Sequence, residues 1–448
     1  MSSAFASHLS WYSGTARVPS GWRFWLPAAL TLLAVVVPDF QTVNVLQAAG
    51  ENLDSNLLAS MSVENSFREL LFMLVLLALG GVGAWLLWGS RPASQRRASW
   101  PAGLMLATAA VGLASCLWSD APEVTLRRLV IAGLFAFGCW GMGAAWRPMH
   151  LVWLVLGLSA TFAGVGLAAE LAYGTFGGSG GYRFSGFLHP NQQALSCGLL
   201  LLAAITLKTW TGQPAWWLVA AMALGLLWLT GSRGGLLASL AAVGFYLVLS
   251  TPPRQRVAWW LLGGLSLGSG LLYLALQPAG GRSLEALARM GRSDPLSDPK
   301  SLTGRIPIWE QIVADISQRP TLGYGYAGYW TAERVHRLSY IHDWEFNNAH
   351  SSYLEMLLAL GAVGFSLGLA SLLAIFAWGL RLYAETSDPG LLFVLSVFVM
   401  GFVSGLVESS FVSVGYELIV WLTGAFLIVY YPTSKSPRGM GEPVACLP

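Results

Sequence analysis

Four side chains that can bind anions or exchange protons stand in hydrophilic segments between long apolar runs. Arg233 lies in Thr-Gly-Ser-Arg-Gly-Gly and His350 in Asn-Asn-Ala-His-Ser-Ser, while Arg305 and His189 occupy the hydrophilic segments nearest to them. A guanidinium stays protonated and matches phosphate oxygens with a planar fork of donors. An imidazole readily accepts or releases a proton near neutral pH. What these residues can do together depends on the elements that position them.

The composition indicates what those elements are. Of the 448 residues, 55% are hydrophobic and 10% are charged, and the mean hydropathy is +0.58, values that exclude a soluble domain. Apolar runs recur along the chain, and about 20 apolar residues in a helix cross a bilayer. Helices are required because lipid offers exposed backbone groups no hydrogen-bond partner. We predict an all-α, polytopic integral membrane protein.

Segmentation by apolar runs predicts about twelve transmembrane helices. They lie near residues 24–38, 68–89, 101–118, 129–146, 151–171, 191–207, 215–230, 236–251, 258–276, 353–380, 390–407 and 414–431. The first run is interpreted as a retained helix and not a signal peptide, because many spans follow it. The predicted organisation is helices 1–9 in residues 1–276, a large periplasmic loop with amphipathic helices in 277–352, helices 10–12 in 353–431 and a cytoplasmic tail in 432–448.

The basic residues predict how these helices are oriented. With a cytoplasmic N-terminus every cytoplasmic segment is basic, as the positive-inside rule requires. The basic residues of these cytoplasmic segments are then Arg17, Arg23, Arg91, Arg96, Arg97, Arg147, Lys208, Arg254, Arg256, Arg381, Lys435 and Arg438. Arg183 and Arg233 fall in short external segments against this bias, which favours retention of each cation for a partner. Both termini are expected in the cytoplasm.

Glycines surround both of these arginines. Gly177, Gly178, Gly180 and Gly181 precede Arg183, and Gly231, Gly234 and Gly235 bracket Arg233. Glycine lets backbone amides approach a ligand closely. Transmembrane helices also use glycine simply to pack closely, so both interpretations stay open.

Residues 304–318 of the long external loop predict an amphipathic helix that Thr303 caps and that ends near Pro320. Its apolar stripe comprises Ile306, Trp309, Ile312, Val313 and Ile316, with Glu310, Gln311 and Asp315 on the other side. The stripe fits packing or attachment to the membrane surface. The glycine and aromatic run at 320–330 fits either stacking on sugar rings or an interfacial aromatic belt.

Residues 333–350 concentrate titratable and amide side chains directly before a span, which favours a site over a spacer. They are Glu333, Arg334, His336, Arg337, His342, Asp343, Glu345, Asn347, Asn348 and His350. Their spacing fits no helical pair of metal ligands. The four cysteines form neither a disulfide framework nor a zinc spacing, and no Walker loop, nucleophile elbow or dinucleotide fingerprint occurs. We expect no metal, no cofactor, no ATP-driven work and no nucleic-acid partner.

Several local patterns resemble the bacterial O-antigen ligase superfamily, which includes O-antigen ligases, Wzy-type polysaccharide polymerases and O-linked oligosaccharyltransferases. The segment from Arg233 to Leu237 is similar to the family's Arg-x-x-x-Leu element, and His350-Ser351, nine further residues and Gly-Ala-Val-Gly are similar to its His-Asn/Ser-x9-Gly-x-x-Gly element. Leu302-Thr-Gly-Arg305 with Trp309 and the later Arg-Pro-Thr-Leu-Gly-Tyr-Gly resemble its large periplasmic loop. His189-Pro-Asn191 resembles its Pro-Asn pair at the sixth span. The resemblance covers residues 180–420.

The resemblance implies a metal-independent, inverting glycosyltransferase at the periplasmic face of the bacterial inner membrane. Its donor would be an undecaprenyl-diphosphate-linked glycan, its acceptor a hydroxyl of lipid A-core or of another glycan, and membrane lipids would surround it. A diphosphate leaving group develops negative charge that guanidinium forks stabilise. Arg233, Arg305 and Arg183 are therefore expected to bind the donor diphosphate.

The resemblance also implies a proton acceptor for the attacking hydroxyl, and an imidazole suits this role. We expect His350 to be the catalytic base, the alternative being a hydrogen bond at a helix start. His189, Asn191 and Asn348 are expected to position substrate.

Two alternatives to a ligase stay open. The stretch around Arg305 also resembles exopolysaccharide polymerases of the Wzy type, which use a second lipid-linked repeat as acceptor. About twelve helices could also form a transporter or flippase, but transporters place ionisable groups near the bilayer midplane and show two similar halves. Here the charged residues cluster outside the membrane, which favours an enzyme.

Overall fold

The computed structural model describes residues 19, 21–39, 55–89, 99–177, 182–186, 188–251, 305–342, 348–410 and 415–431. Regular secondary structure within these ranges is helical throughout. The α-helices described are α1 (Trp22–Asp39), α2 (Ser55–Gly89), α3 (Ser99–Ala114), α4 (Pro122–Ala145), α5 (Pro148–Ala172), α6 (Pro190–Thr211), α7 (Trp216–Leu229), α8 (Arg233–Ser250), α9 (Arg305–Gln318), α10 (Ala332–His342), α11 (Ser352–Thr386), α12 (Pro389–Ser404) and α13 (Tyr416–Val429).

Seven of these helices are long and apolar enough to cross a membrane, namely α2 to α6, α8 and α11. Four more, α1, α7, α12 and α13, are apolar but shorter. These eleven helices coincide with eleven of the predicted spans, and the prediction of an all-α, polytopic membrane protein is confirmed. The predicted span at 258–276 lies outside the described residues, as do Thr303 and the start of the Leu302-Thr-Gly-Arg305 pattern.

The core is built around α6 and α12. Every residue of α6 from Gln193 to Leu207 is buried, and α6 packs against α5, α7 and α8, while α12 packs against α5, α8, α11 and α13. Glycine allows the closest of these approaches. A Cβ on Gly198 would lie 1.9 Å from Ser239 Oγ on α8, and one on Gly401 would lie 2.0 Å from the Trp421 ring on α13.

The two ends of the helix bundle carry different residues. One end holds Arg147, Lys208 and Arg381 together with Arg23, whose carbonyl accepts a hydrogen bond from Trp146 Nε1 at 3.1 Å. The other end holds the starts of α6, α8 and α11, which follow directly after His189, Ser232 and Ser351. The external residues of the sequence analysis therefore gather at the second end.

α9 and α10 form a small second core over this end. It contains Ile308, Ile312, Tyr324, Tyr329, Leu338, Ala349 and Leu358. The amphipathic helix is confirmed, but its buried side is rotated from the expected stripe, since Ile306 and Val313 are 38% and 51% exposed. Asp315, expected on the polar side, is buried at 7% exposure because Tyr329 Oη and two glutamine amides donate hydrogen bonds to it.

The aromatic run packs inside this second core. Tyr324 and Tyr329 are 4% and 1% exposed, so neither is free to stack on a sugar or to lie in an interfacial belt. The guanidinium of Arg334 lies 4.5 Å from the Tyr329 ring centre and 5.1 Å from that of Tyr324. Arg319 covers Tyr324 as well, at 4.8 Å. The rings are thus held by cations of the same loop.

A kink in α11 receives the segment that follows α9. Gly361 has φ 60° and ψ −165°, a conformation accessible essentially only to glycine. The kink frees backbone groups for the loop, so that Tyr324 N donates to Leu358 O at 2.8 Å and Ala362 N donates to Pro320 O at 2.8 Å. The Arg-Pro-Thr-Leu-Gly-Tyr-Gly segment and the Gly-x-x-Gly end of the His350 motif are therefore joined by backbone hydrogen bonds.

The connection between α3 and α4 fastens the same loop from the other side. Asp120 accepts from Arg319 at 2.6 Å and from Arg334 at 3.2 Å. Trp118 Nε1 donates to Leu322 O at 2.9 Å, and Ser115 Oγ accepts from Tyr326 N at 3.0 Å. α9, α10 and the segment between them are thereby held against the end of the bundle where His350 lies.

Candidate functional site

Glu408 is the centre of a charged cluster at this end of the bundle. Its Oε1 accepts from Arg305 at 2.7 Å and from Asn191 Nδ2 at 2.7 Å. Its Oε2 lies 3.9 Å from His350 Nδ1. The side chains of Arg305, Glu408 and His350 are 13%, 19% and 19% exposed, so the cluster is partly shielded from solvent and still reachable.

Backbone contacts fix the position of Glu408. α12 ends at Ser404, and the turn that follows binds the start of α11. Ser352 N donates to Gly405 O at 2.9 Å and to Glu408 O at 3.0 Å, while Ser352 Oγ donates to Glu408 O at 2.9 Å. The first turn of α11, immediately after His350, and the turn carrying Glu408 are thus one unit.

Arg183 joins the cluster through Asn191. Its Nη2 donates to Asn191 Oδ1 at 2.8 Å, and its Nε donates to Thr230 O at 2.8 Å. The amide of Asn191 therefore bridges Arg183 and Glu408. This places the Pro-Asn pair at the start of α6 inside the cluster.

A buried carboxylate folds the loop that carries Arg183. Glu170 is 7% exposed and accepts from Ser185 N at 3.0 Å, from Gly186 N at 2.8 Å and from the Tyr182 hydroxyl. These donors lie on both sides of Arg183 in the chain. Glu170 thus determines the course of the backbone on either side of that arginine.

Arg233 begins α8, and the glycines on either side of it lie close to residues of the cluster or next to it. Gly231, at φ 62°, lies against the Arg183 side chain, and a Cβ there would be 3.4 Å from Arg183 Cγ. A Cβ on Gly234 would be 2.8 Å from Val407, the neighbour of Glu408. Arg233 therefore starts its helix beside both Arg183 and the Glu408 turn. The glycines around it serve close packing.

The backbone that presents His350 is held on every side. His350 has φ 47°, a left-handed conformation that is uncommon for residues other than glycine. Glu355 Oε2 accepts from Ala349 N at 2.8 Å, and Trp309 Nε1 donates to Ala349 O at 2.9 Å. Asn348 Oδ1 accepts from His350 N at 2.9 Å. Asn348 thus positions the histidine backbone, and Trp309 connects α9 to it.

His189 occupies the N-cap of α6. Its Nδ1 accepts from Asn191 N at 3.2 Å, and its own N–H donates to Gln192 Oε1 at 3.3 Å. The hydrogen bonds of His189 therefore hold the helix start that presents Asn191, and the residue itself is exposed.

The charges of the cluster favour an anion. Among the described residues, the hydrogen-bonded cluster holds two guanidinium groups, those of Arg183 and Arg305, and one carboxylate, that of Glu408, and Arg233 begins α8 beside them. Burial raises the pKa of Glu408, but the neighbouring His350 imidazole and the Arg305 guanidinium outweigh this and hold the pKa below its ordinary value of 4.5. Glu408 is therefore ionised at neutral pH, and the excess charge is positive.

Metal ligands do not gather in the part of the chain that the structure describes. Nowhere in those residues do three His, Cys, Asp or Glu side chains meet so as to hold an ion. Asp343 and Glu345, which the sequence analysis weighed as ligands, lie outside the described residues, as does the side chain of His342.

Reasoning from the sequence missed the role of the acidic residues. Glu408 follows an apolar run as a single acid with no local pattern, and Glu170 and Glu355 likewise belong to none of the motifs described in the sequence analysis. One signal was available, since Glu170 and Glu355 are ionisable residues within or at the edge of apolar spans.

The Arg127 side chain pairs at 3.3 Å with Glu69, both more than 60% exposed. Such a surface ion pair contributes little to stability.

Comparison with known proteins gives two matches. Residues 217–369 match the model of the O-antigen ligase family, and this range contains Arg233, Arg305 and His350. The chain is also 27% identical over 343 residues to the exopolysaccharide production protein ExoQ of Rhizobium meliloti (strain 1021), a match that covers 71% of this chain and 73% of that protein. The match to ExoQ thus spans most of both chains.

The family match indicates an enzyme that processes polysaccharide at a membrane. The motifs of the sequence, the helical architecture and these two matches agree with one another. They confirm the resemblance of this multi-pass membrane protein to the O-antigen ligase superfamily.

Proposed function

We propose that the chain is an inner-membrane glycosyltransferase of the O-antigen ligase type, which transfers a polysaccharide from undecaprenyl diphosphate to a hydroxyl of lipid A-core at the periplasmic face. The observation that carries this proposal is the convergence of Arg305, Asn191 and His350 on Glu408, with Arg183 joined through Asn191. Cations, a proton acceptor and a carboxylate lie together at one end of the helix bundle.

The arginines serve the donor. The diphosphate bears negative charge in the ground state and more as its bond to the sugar breaks, and guanidinium groups in a partly shielded site stabilise that charge. Arg233 at the start of α8 and Arg305 at the start of α9 are the expected contacts. Arg183 already donates hydrogen bonds to Thr230 O and Asn191. Its positive charge adds to that of the other two arginines and favours binding of the diphosphate.

His350 serves the acceptor. The acceptor oxygen attacks the anomeric carbon, its proton passes to Nε2 of His350, and the bond from that carbon to the diphosphate oxygen breaks, which inverts the configuration. Nδ1 of His350 faces Glu408 Oε2 at 3.9 Å, a contact that can shorten when substrate binds. Glu408 stabilises the imidazolium that forms, and no metal is required.

The test compares two histidines of the same region. His350→Ala should abolish glycan transfer in purified protein supplied with lipid-linked donor, acceptor and no energy source, while donor binding and thermal stability stay near wild type. His336→Ala is the matched control, since His336 is exposed on α10 away from the cluster, and it should keep full activity. Turnover by the His350 variant at the wild-type rate would remove the base assignment. Transfer by the wild-type protein without an energy source would contradict a transporter.

A second candidate is a Wzy-type polymerase, which would join one lipid-linked repeat to another. The similarity to a protein named for exopolysaccharide production favours it. Deletion of the chain in its host separates the two: lipopolysaccharide core without attached polymer indicates a ligase, and core carrying single repeats indicates a polymerase.

A further inference from the structure

An open cleft of about 490 Å³ lies between α9 and α10, apart from the Glu408 cluster. Its polar lining consists of Gln311, Asp315, Gln318, Tyr324, Arg334 and Arg337. None of these residues takes part in the chemistry proposed above.

The lining is ordered by Asp315. This buried carboxylate accepts from Gln311 Nε2 and Gln318 Nε2, each at 3.2 Å, and from the Tyr329 hydroxyl. Since both amide nitrogens donate to Asp315, each glutamine retains its Oε1 as an acceptor for a ligand. About two turns of α9 thus carry two glutamine side chains that Asp315 already orients.

Hydrogen-bond donors from α10 line the other side of the cleft. Arg334 is fixed by hydrogen bonds to Tyr329 O at 2.7 Å and Asp120 Oδ2 at 3.2 Å. Arg337, one turn further along α10, is exposed at the cleft. Ile341, which is 59% exposed, adds a small apolar surface to the same side, while its neighbour in the lining, Leu338, is buried.

These features favour one class of ligand. Sugar hydroxyls both donate and accept hydrogen bonds, as the facing amide oxygens and guanidinium groups require, and the apolar strip suits the C–H face of a sugar ring. The polar lining does not suit a lipid chain, and the one carboxylate in the lining is too few for a metal site. An open cleft of this size admits more than one sugar unit.

The position of the cleft connects it to the candidate site. Arg305 begins α9, and Gln311 and Gln318 follow on the same helix about 9 and 20 Å further along at 1.5 Å per residue. We infer that the cleft binds a saccharide segment of the glycan whose reacting end lies at the Glu408 cluster. This inference rests on the proposed function and adds a second binding site to it.

The experiment measures binding without catalysis. Oligosaccharides of one to three repeats, cut from the host's own surface polysaccharide and free of lipid and phosphate, are titrated into the full-length protein in nanodiscs by calorimetry. We expect Gln311→Ala with Gln318→Ala, and separately Arg337→Ala, to weaken binding about tenfold, a loss of about 1.4 kcal/mol. The controls Glu310→Ala and Glu333→Ala alter exposed residues outside the cleft and should bind as wild type does.

Kinetics with the same variants identify the source of the glycan. A raised KM for the lipid-linked donor, at unchanged kcat, assigns the cleft to the donor glycan, and a raised KM for the acceptor assigns it to the acceptor. Undiminished oligosaccharide affinity in both Gln311/Gln318 and Arg337 variants, or no binding by the wild-type protein, would overturn the inference. Arg337 is exposed, so its variant keeps the test valid if the double variant fails to fold.

The two proposals fail separately. Binding of a free oligosaccharide does not require catalysis, so absence of transfer by the wild-type protein supplied with lipid-linked donor and acceptor would remove the proposed function and leave the cleft result standing. Transfer by the wild-type protein, combined with undiminished oligosaccharide affinity in the cleft variants, would remove the cleft alone.

Discussion

At the scale of single residues, Glu408 organises side chains that the sequence keeps far apart. Arg305 lies 103 residues before it and Asn191 lies 217 residues before it. Removing the carboxylate would leave two cationic or polar partners unsatisfied in a partly buried site, which costs stability as well as order. The contribution of the Glu408 charge to the stability of the fold therefore depends on pH.

Glu408→Gln should lower the melting temperature of the protein by an amount that changes with pH in a defined direction. The pKa of Glu408 is held below its ordinary value of 4.5, so its charge stabilises the fold above that value and the stabilisation is lost as pH falls through the lower, folded pKa. The difference in Tm between wild type and variant should be constant from about pH 8 to about pH 6 and shrink below the ordinary pKa. A difference that grows on acidification would contradict the charged contact with Arg305.

Arg233→Lys tests whether a fork of donors is needed at the start of α8. Lysine keeps the positive charge but offers a single ammonium group, which cannot reproduce two parallel hydrogen bonds to phosphate. We expect the rate of transfer to fall about 100-fold, comparable to the loss of one donor at a developing oxyanion. Steady-state kinetics with Lys208→Arg as control, at the opposite end of the bundle, provide the measurement. Normal activity in the Arg233 variant would count against bidentate recognition.

How far the residues of the site could be predicted depended on their type. The unusual position of Arg183 and Arg233 among apolar helices, and the motifs around His350 and Arg305, marked those four from the sequence. Glu408 was not given a role because one acid after an apolar run has no local pattern, and its partners are supplied only by the tertiary fold. For the same reason the sequence does not show that the Asn348 side chain accepts a hydrogen bond from the backbone of His350; its role in positioning substrate stays a prediction.

At the scale of elements, the connection between α5 and α6 depends on Glu170 at the end of α5. This carboxylate binds backbone amides that follow Arg183, and the hydroxyl of Tyr182 that precedes it. Its effect on the site is therefore through position and not through contact with substrate.

Glu170→Gln should disturb the placement of Arg183. An amide can accept only through its oxygen, so at least one of the donors to Glu170 loses its partner. We expect the KM for the lipid-linked donor to rise about tenfold, the size of a moderate loss of binding, with a smaller change in kcat. Tyr173→Phe, on an exposed side chain of the same turn, is the control. A donor KM equal to that of wild type would show that the Arg183 loop does not depend on Glu170.

Helix ends were less predictable than helix centres. Hydropathy marks only the apolar part of a helix, while the hydrogen-bonded backbone continues into polar sequence. α2 begins at Ser55 and not near 68, α4 at Pro122 and not near 129, and α11 runs to Thr386 and not to 380. The rotated face of α9 has another cause, because the tyrosines that draw Asp315 inward come from the following segment.

At the scale of the whole molecule, the charged residues separate toward two ends. The basic residues Arg23, Arg147, Lys208 and Arg381 stand at the end opposite the Glu408 cluster. The positive-inside rule then predicts that the cluster faces the periplasm.

Cysteine labelling tests this orientation. In a variant without the native cysteines, Glu333→Cys at the site end should react with a membrane-impermeant maleimide in intact spheroplasts. Gln213→Cys, in the exposed turn between α6 and α7, should react only after the membrane is permeabilised. Labelling of the position 213 variant in intact spheroplasts, with protection at 333, would reverse the topology.

The attachment of the α9–α10 segment to Asp120, Trp118 and Ser115 bears on how such proteins can be recombined. In a chimera that receives only residues 305–342 from a relative, the grafted segment would pack against an α3–α4 connection of another protein. The arginines of the graft would then lack the acidic partner that Asp120 provides for Arg319 and Arg334 in this chain. Grafts should therefore carry residues 115–121 along with the loop. On the proposed role of the cleft, an exchange of glycan specificity therefore requires both stretches of chain, 115–121 and 305–342.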